Sequence, residues 1–323
     1  MVGRERRFRG WASAVPAVGL AIGAVAAENP FGVMLPSRLV RSQQGIQVAR
    51  ELGAAYFRPD AVFVEGGPAV CAVCEAARRA GLKLVLTVRN NGPRATTPPA
   101  DLGRYQRAVA GVVEQYRPEI LVVENEENSA LFYDGTPEAY ASQLKAACEA
   151  AHRQGIRCTN GGLVSALVAL LVYDDYLSRG ERQRAEAFAS RVFPPRQRQL
   201  LGAARAREQI RKGKALLASY RAAGADYVNF HWYITDPRAL EEAVAYLKAR
   251  SGLPAITNEV GQFTDDPEQT RAVMGKIVEL GLPVAVWFGL DGPRARGLVD
   301  PDGRLRSTGQ AFQEFIRRRF PRP

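Results

Sequence analysis

Two carboxylate-bearing segments hold the chemistry open to this chain. The first, Glu124-Asn125-Glu126-Glu127-Asn128, follows the apolar run Ile120-Leu121-Val122-Val123; the second, Asn258-Glu259-Val260-Gly261, follows Pro254-Ala255-Ile256-Thr257. Two carboxyl groups about 5 Å apart can break a glycosidic bond with retention, one attacking the anomeric carbon while the other protonates the leaving oxygen. The acid must keep its proton near neutrality, and neighbouring negative charge favours that. The crowded group at Glu124, Glu126 and Glu127 suits this role, with Glu126 as the acid and Glu127 as its alternative. The nucleophile must stay ionised, and Glu259 would gain from a cation. Arg58 is the candidate, unless it pairs with Asp60.

Other chemistries fit less well. The only histidines, His152 and His231, do not stand at ligand spacing from a cysteine pair, so no zinc site is expected, and two-carboxylate chemistry needs no metal or organic cofactor. Cys148 and Cys158 flank a predicted helix-to-strand connection where a disulfide is plausible. Cys71 and Cys74 lie within 68–80, which reads as an amphipathic helix, and are expected as small buried residues or a local disulfide.

Carboxylates at the tips of apolar runs need a frame that brings those tips together. From Asn29 onward, short β-branched runs alternate with segments of helical period, as in repeated β-α units around a parallel sheet. The strand candidates are 31–34, 55–58, 83–88, 120–124, 156–160, 227–231, 255–258 and 284–288, a count of eight. Helical segments fall at 44–52, 102–116, 137–154, 237–250, 267–280 and 308–319, and glycines at 53, 81, 155, 224, 252 and 281 stand where left-handed C-caps are expected. These features predict a single α/β domain over 28–323, a (β/α)8 TIM barrel, whose catalytic groups sit at the C-terminal ends of the strands. The interval 165–220 is too long for one barrel helix. It reads as an elaborated segment after strand five, two or three helices with a basic stretch, able to wall one side of the cleft.

The composition fits a protein with a substantial core: 323 residues, 46% hydrophobic and 24% charged. Of its 44 basic residues six are Lys and 38 Arg, against 33 acidic ones, for a net charge of +11. No nucleic-acid motif accompanies this charge, so it reads as a solvated, Arg-rich surface rather than a nucleic-acid interface. The N-terminus carries Arg4, Arg6, Arg7 and Arg9, an apolar stretch and then Ala24, Ala26 and Ala27. This is the pattern of a signal peptide over 1–27, or of an N-terminal anchor that would give membrane contact if uncleaved, and it points to a secreted or periplasmic protein.

With these residues in order, the chain resembles the retaining glycoside hydrolases of clan A, the (β/α)8 superfamily of many cellulases, mannanases, xylosidases and related β-glycanases. Asn125-Glu126-Glu127-Asn128 resembles the clan's strand-four Asn-Glu element, with Glu127 where Pro often stands. Thr257-Asn258-Glu259-Val260-Gly261 resembles its strand-seven Thr-Glu-x-Gly element with one extra residue, Asn258. The resemblance implies Glu126 as acid/base and Glu259 as nucleophile, Asn125 on the sugar 2-hydroxyl and Arg58 orienting Glu259. It further implies that Tyr233, in a His231-x-Tyr233 element, contacts the nucleophile, and that Trp287 stacks under the sugar.

Three classes of function are thus in view: an exported retaining β-glycosidase or β-glycanase, a noncatalytic polysaccharide-binding barrel, and a glycan-remodelling transglycosylase. All take an oligo- or polysaccharide partner.

Overall fold

The computed structural model describes residues 28–65, 70–92, 95–289 and 297–321; the expected N-terminal signal lies outside them. The strands are β1 (Phe31–Met34), β2 (Tyr56–Phe57), β3 (Val62–Phe63), β4 (Lys83–Arg89), β5 (Ile120–Val123), β6 (Arg157–Asn160), β7 (Val228–Trp232), β8 (Ala255–Val260) and β9 (Ala285–Phe288). All pairings among these described strands are parallel, in the order β6-β5-β4-β2-β1-β9-β8-β7, with β3 beside β4. An isolated parallel bridge between Thr159 and Tyr227 joins the two ends. The fold is the expected α/β barrel, and all eight expected strand runs contribute to it.

The one additional strand has a local cause. β2 and β3 both lie along β4, at Tyr56↔Lys83 and Val62↔Val88 respectively. Between them stands Pro59, which has no N–H to give the ladder. They are therefore one barrel strand in two pieces.

The helices are α1 (Ser37–Val40), α2 (Gln43–Glu51), α3 (Cys74–Arg79), α4 (Leu102–Tyr116), α5 (Pro137–His152), α6 (Ser165–Ser178), α7 (Arg182–Val192), α8 (Pro195–Arg198), α9 (Ala204–Tyr220), α10 (Pro237–Ser251), α11 (Pro267–Glu279) and α12 (Ser307–Arg319). Side-chain N-caps at Thr136, Asp236 and Asp266, each followed by Pro at the first helical position, start three of them. All six glycines expected at helix ends have positive φ. The helix expected over 68–80 is shorter: α3 begins only at Cys74, which is bonded to Cys71. Cys148 and Cys158 form the second disulfide, tying α5 to β6.

The segment 165–220 holds four helices rather than two or three. The last, α9, packs on α5 and α10 in the place of a barrel helix, while α6 to α8 are the addition.

Two apolar layers result. Tyr56, Val85, Ile120, Val122, Tyr227, Ile256, Val284 and Val286 fill the barrel, and a larger cluster lies between strands and helices. Burying both faces of the strands explains why their sequences read as continuous apolar runs. No helix among the described residues is long and apolar enough to cross a membrane.

Candidate active site

The fourth and seventh strand runs of the sequence are β5 and β8, and their carboxylates meet at the C-terminal mouth. Beyond β5 the backbone turns through two left-handed residues, Glu124 (φ 66°) and Glu126 (φ 45°). Such conformations cost a non-glycine residue about 1–3 kcal/mol. Their effect is to separate three nearby glutamates. Glu124 is buried and accepts hydrogen bonds from Asn90 N, Thr96 Oγ1 and Gln143 Nε2. Glu127 is buried and accepts from Asn160 Nδ2 and Tyr220 Oη. Burial pushes both carboxyls above the usual range, with the hydrogen bonds opposing it. Glu126 alone reaches the mouth.

Along β7 the two-residue alternation of a strand turns Asn229, His231 and Tyr233 inward while Val228, Phe230 and Trp232 pack outward. In β8 the register shifts between Ile256 and Glu259 against β7 and between Thr257 and Val260 against β9. That irregularity lets consecutive residues, Asn258 and Glu259, both contact the mouth face of β7. Asn258 is thus the extra residue of the strand-seven element, and it has a structural task.

Glu259 is held on both oxygens. Arg58 Nη1 donates to Oε2 at 2.7 Å and Tyr233 Oη donates to Oε1 at 2.8 Å. Burial acts to raise its pKa, but the charges of His231 and Arg58, with hydrogen bonds from Arg58 and Tyr233, outweigh it and hold the carboxyl below the usual range. Tyr233 is raised by burial and by the Glu259 charge, so its hydroxyl keeps its proton and donates. Arg58 also donates to Asn125 Oδ1 at 2.8 Å and to the Asn258 carbonyl at 3.0 Å. Asp60 pairs with Arg41 instead.

His231 bridges the two carboxylates: its Nδ1 lies 2.9 Å from Glu126 Oε1 and 3.5 Å from Glu259 Oε1. The buried amides behind it define its other nitrogen. Asn229 Oδ1 accepts from Asn258 N and Asn229 Nδ2 donates to Asn160 O, so its orientation is set by the backbone. The same Nδ2 donates to Asn258 Oδ1, which leaves His231 Nε2, 3.1 Å from that oxygen, as a second donor. Nδ1 of a neutral ring is then an acceptor toward Glu126, and Nδ1 of a charged ring a donor.

One atom each from Glu126, His231 and Glu259 lie within 4.8 Å of one another. A Glu-His-Glu set can also ligate a divalent cation, but here both oxygens of Glu259 are engaged by Arg58 and Tyr233, and the guanidinium repels a cation at that point. Glu126 Oε2 has no hydrogen-bond partner among the described residues, and Glu126 lines a cavity at the mouth.

Six of the seven expected site residues, Arg58, Asn125, Glu126, His231, Tyr233 and Glu259, are therefore in one hydrogen-bonded group. Trp287 is not. It faces away from the mouth, 1% exposed, with its ring edge-on to Phe312 of α12 at 5.9 Å. Alternation along β9 turns Val286 and Phe288 inward instead, and Phe288 meets Tyr233 edge-on at 6.4 Å.

Sequence reasoning missed Asn160, Asn229 and the glycine pair Gly161-Gly162. Polar residues in step with His231 on an otherwise apolar strand were the available signal for Asn229. At Gly162 (φ 104°) a Cβ would stand 2.3 Å from His231 Nε2, so only glycine lets the chain pass there.

No protein-family model matches the chain, and a search of curated proteins finds no match. Solved structures do resemble it. A glucosidase from Croceicoccus marinus superposes with a TM-score of 0.57 at 14% identity, over 83% of this chain, which spans only 61% of that protein. A fungal β-1,4-galactanase gives 0.55 at 12% identity over 88% and 98% of the two chains. A GH128 (subgroup VI) exo-β-1,3-glucanase from Aureobasidium namibiae gives 0.53 at 12% identity over 88% and 95%. These neighbours are glycoside hydrolases, and at such identities the likeness establishes the barrel fold that they share with this chain.

Proposed function

We propose that the protein is an exported glycoside hydrolase that cleaves β-linked glycans with retention of configuration. The observation that carries this reading is the pair Glu126 and Glu259, delivered by two separate strands to one mouth with one carboxylate oxygen of each within 4.8 Å of the other. Retaining enzymes hold their carboxyl groups about 5–5.5 Å apart and inverting ones about 6.5–9.5 Å.

The residues take distinct parts. Glu259, kept ionised by Arg58 and Tyr233, attacks the anomeric carbon as Glu126 gives its proton to the departing glycosidic oxygen. Glu126, then a carboxylate, takes a proton from water, and that water's oxygen attacks the same carbon and releases Glu259. Asn125, whose Oδ1 is occupied by Arg58, offers its amide N–H to the sugar 2-hydroxyl. The 1–27 pattern supports export, as do two disulfides of a kind that persists in oxidising compartments.

The test is turnover of aryl β-glycosides and of β-1,3-glucan and β-1,4-galactan, the polymers named for the similar structures. Glu259→Ala is expected to abolish activity and azide to restore it with inverted product. Tight glycan binding without turnover by the wild type would favour a binding barrel, and oligosaccharide products longer than the donor would favour transglycosylation.

A further inference from the structure

A cavity of about 300 Å³ opens beside Glu126. Its described lining includes Glu126, His231 and Tyr233 but not Glu259, Arg58 or Asn125, so it lies on the acid side of the pair. One wall comes from the added helices, through Val192 at the end of α7, Phe193, and Gln197 of α8. The other is Phe263, in the loop after β8, a large side chain left 61% exposed. Its ring stacks on Tyr233 with centroids 5.2 Å apart and planes at 26°. Tyr233 is fixed by Glu259 at its hydroxyl and by Phe288 at its side, so Phe263 is an exposed aromatic face on a rigid backing.

The polar groups of this cavity are mostly engaged. Ser165 Oγ donates to His231 O and accepts from Tyr233 N, His231 is held between Glu126 and Asn258, and the Tyr233 hydroxyl is on Glu259. Apart from Glu126 Oε2, Gln197 at the rim is the polar side chain of the lining with no hydrogen-bond partner among the described residues. Ligand pockets run from about 300 to 1,000 Å³, and this one is at the lower limit.

Resting on the hydrolase reading, we propose that this cavity is the leaving-group subsite and takes one ring presenting an apolar face, an aryl group or the C–H face of a pyranose, stacked on Phe263. The acid must face the oxygen that joins the two halves of the substrate, so the half that departs occupies the Glu126 side. The inserted helices α7 and α8 complete the subsite, which assigns a function to the segment that departs from the eightfold repeat.

The experiment compares two donors with one glycone: 4-nitrophenyl β-glycosides, whose leaving group is a ring, and the corresponding β-glycosyl fluorides, which have none, with glucose and galactose each taken in turn. Phe263→Ala is expected to lower kcat/KM about tenfold on the aryl donor, in line with loss of one aromatic contact, and to leave the fluoride within about twofold. Phe263→Tyr should retain both activities. Equal loss on the two donors, or no loss on either, overturns the subsite while leaving the hydrolase intact. A wild type inactive on every donor overturns the hydrolase reading and the subsite with it.

Discussion

His231 touches both carboxylates of the site, 2.9 Å from Glu126 and 3.5 Å from Glu259, while its far nitrogen is committed to Asn258. A single imidazole thereby couples the charge states of two groups that must differ for the proposed reaction. Arg58 adds the bias, since it contacts Glu259 and not Glu126.

The acid limb of kcat/KM reports ionisation of the nucleophile in the free enzyme, and Glu259 is held below the usual carboxylate range. That limb should therefore fall below about pH 4.3, the ordinary glutamate value. Arg58→Gln removes a cation that lowers the Glu259 pKa, so the limb should move upward, and kcat/KM should drop about 100-fold through misplacement of the nucleophile. A pH-rate profile unchanged in shape would contradict the assignment. Stability has the same sign: the contribution of Glu259 is present above the ordinary value and is lost as pH falls through the folded one.

Glu127→Gln separates the two adjacent glutamates. Burial raises the Glu127 carboxyl, so as pH rises above about 4.3 the unfolded chain ionises there before the folded one does, and stability is progressively lost. The amide removes that loss. The variant should gain melting temperature relative to wild type at about pH 7 but not at about pH 4, and should keep its activity. Abolished turnover in a folded protein would transfer the acid role from Glu126 to Glu127.

Trp287→Ala addresses the expected sugar platform. The ring lies between the barrel and α12, so truncation should cost about 3–5 kcal/mol of stability, as for other large buried aromatics. Denaturant unfolding measures this. KM for any substrate should hold, and a raised KM with unchanged stability would restore the platform.

The strands and helix ends were legible because each rests on a local rule: apolar runs for strands buried on both faces, and glycine where φ must be positive. The split of the second strand was not foreseen: the run 55–58 reads as one strand, and Pro59, the local cause of the break, was passed over. Trp287 was misplaced by following a motif across the two-residue alternation that Val284, Val286 and Phe288 keep. The choice among Glu124, Glu126 and Glu127 depends on two left-handed backbone turns that no residue type announces. The Asn160-Asn229-Asn258 network depends on side chains from three strands, and sequence separation hides it.

Gly162→Ala tests that network from its far side. An added methyl would stand 2.3 Å from His231 Nε2 and 3.2 Å from Asn258 Oδ1, so the imidazole must leave the position from which it contacts both carboxylates. Turnover should fall about 100-fold, the cost of a displacement near 1 Å in a catalytic group, with KM little changed. The positive φ of Gly162 brings a backbone cost of its own, about 1–2 kcal/mol for an L residue, and Gly81→Ala supplies the control. Gly81 has φ 83° and nothing within 4 Å of the added Cβ, so its variant should lose comparable stability and no activity. If the two variants lose activity alike, the effect is one of backbone strain and the placement of His231 is not what sustains catalysis.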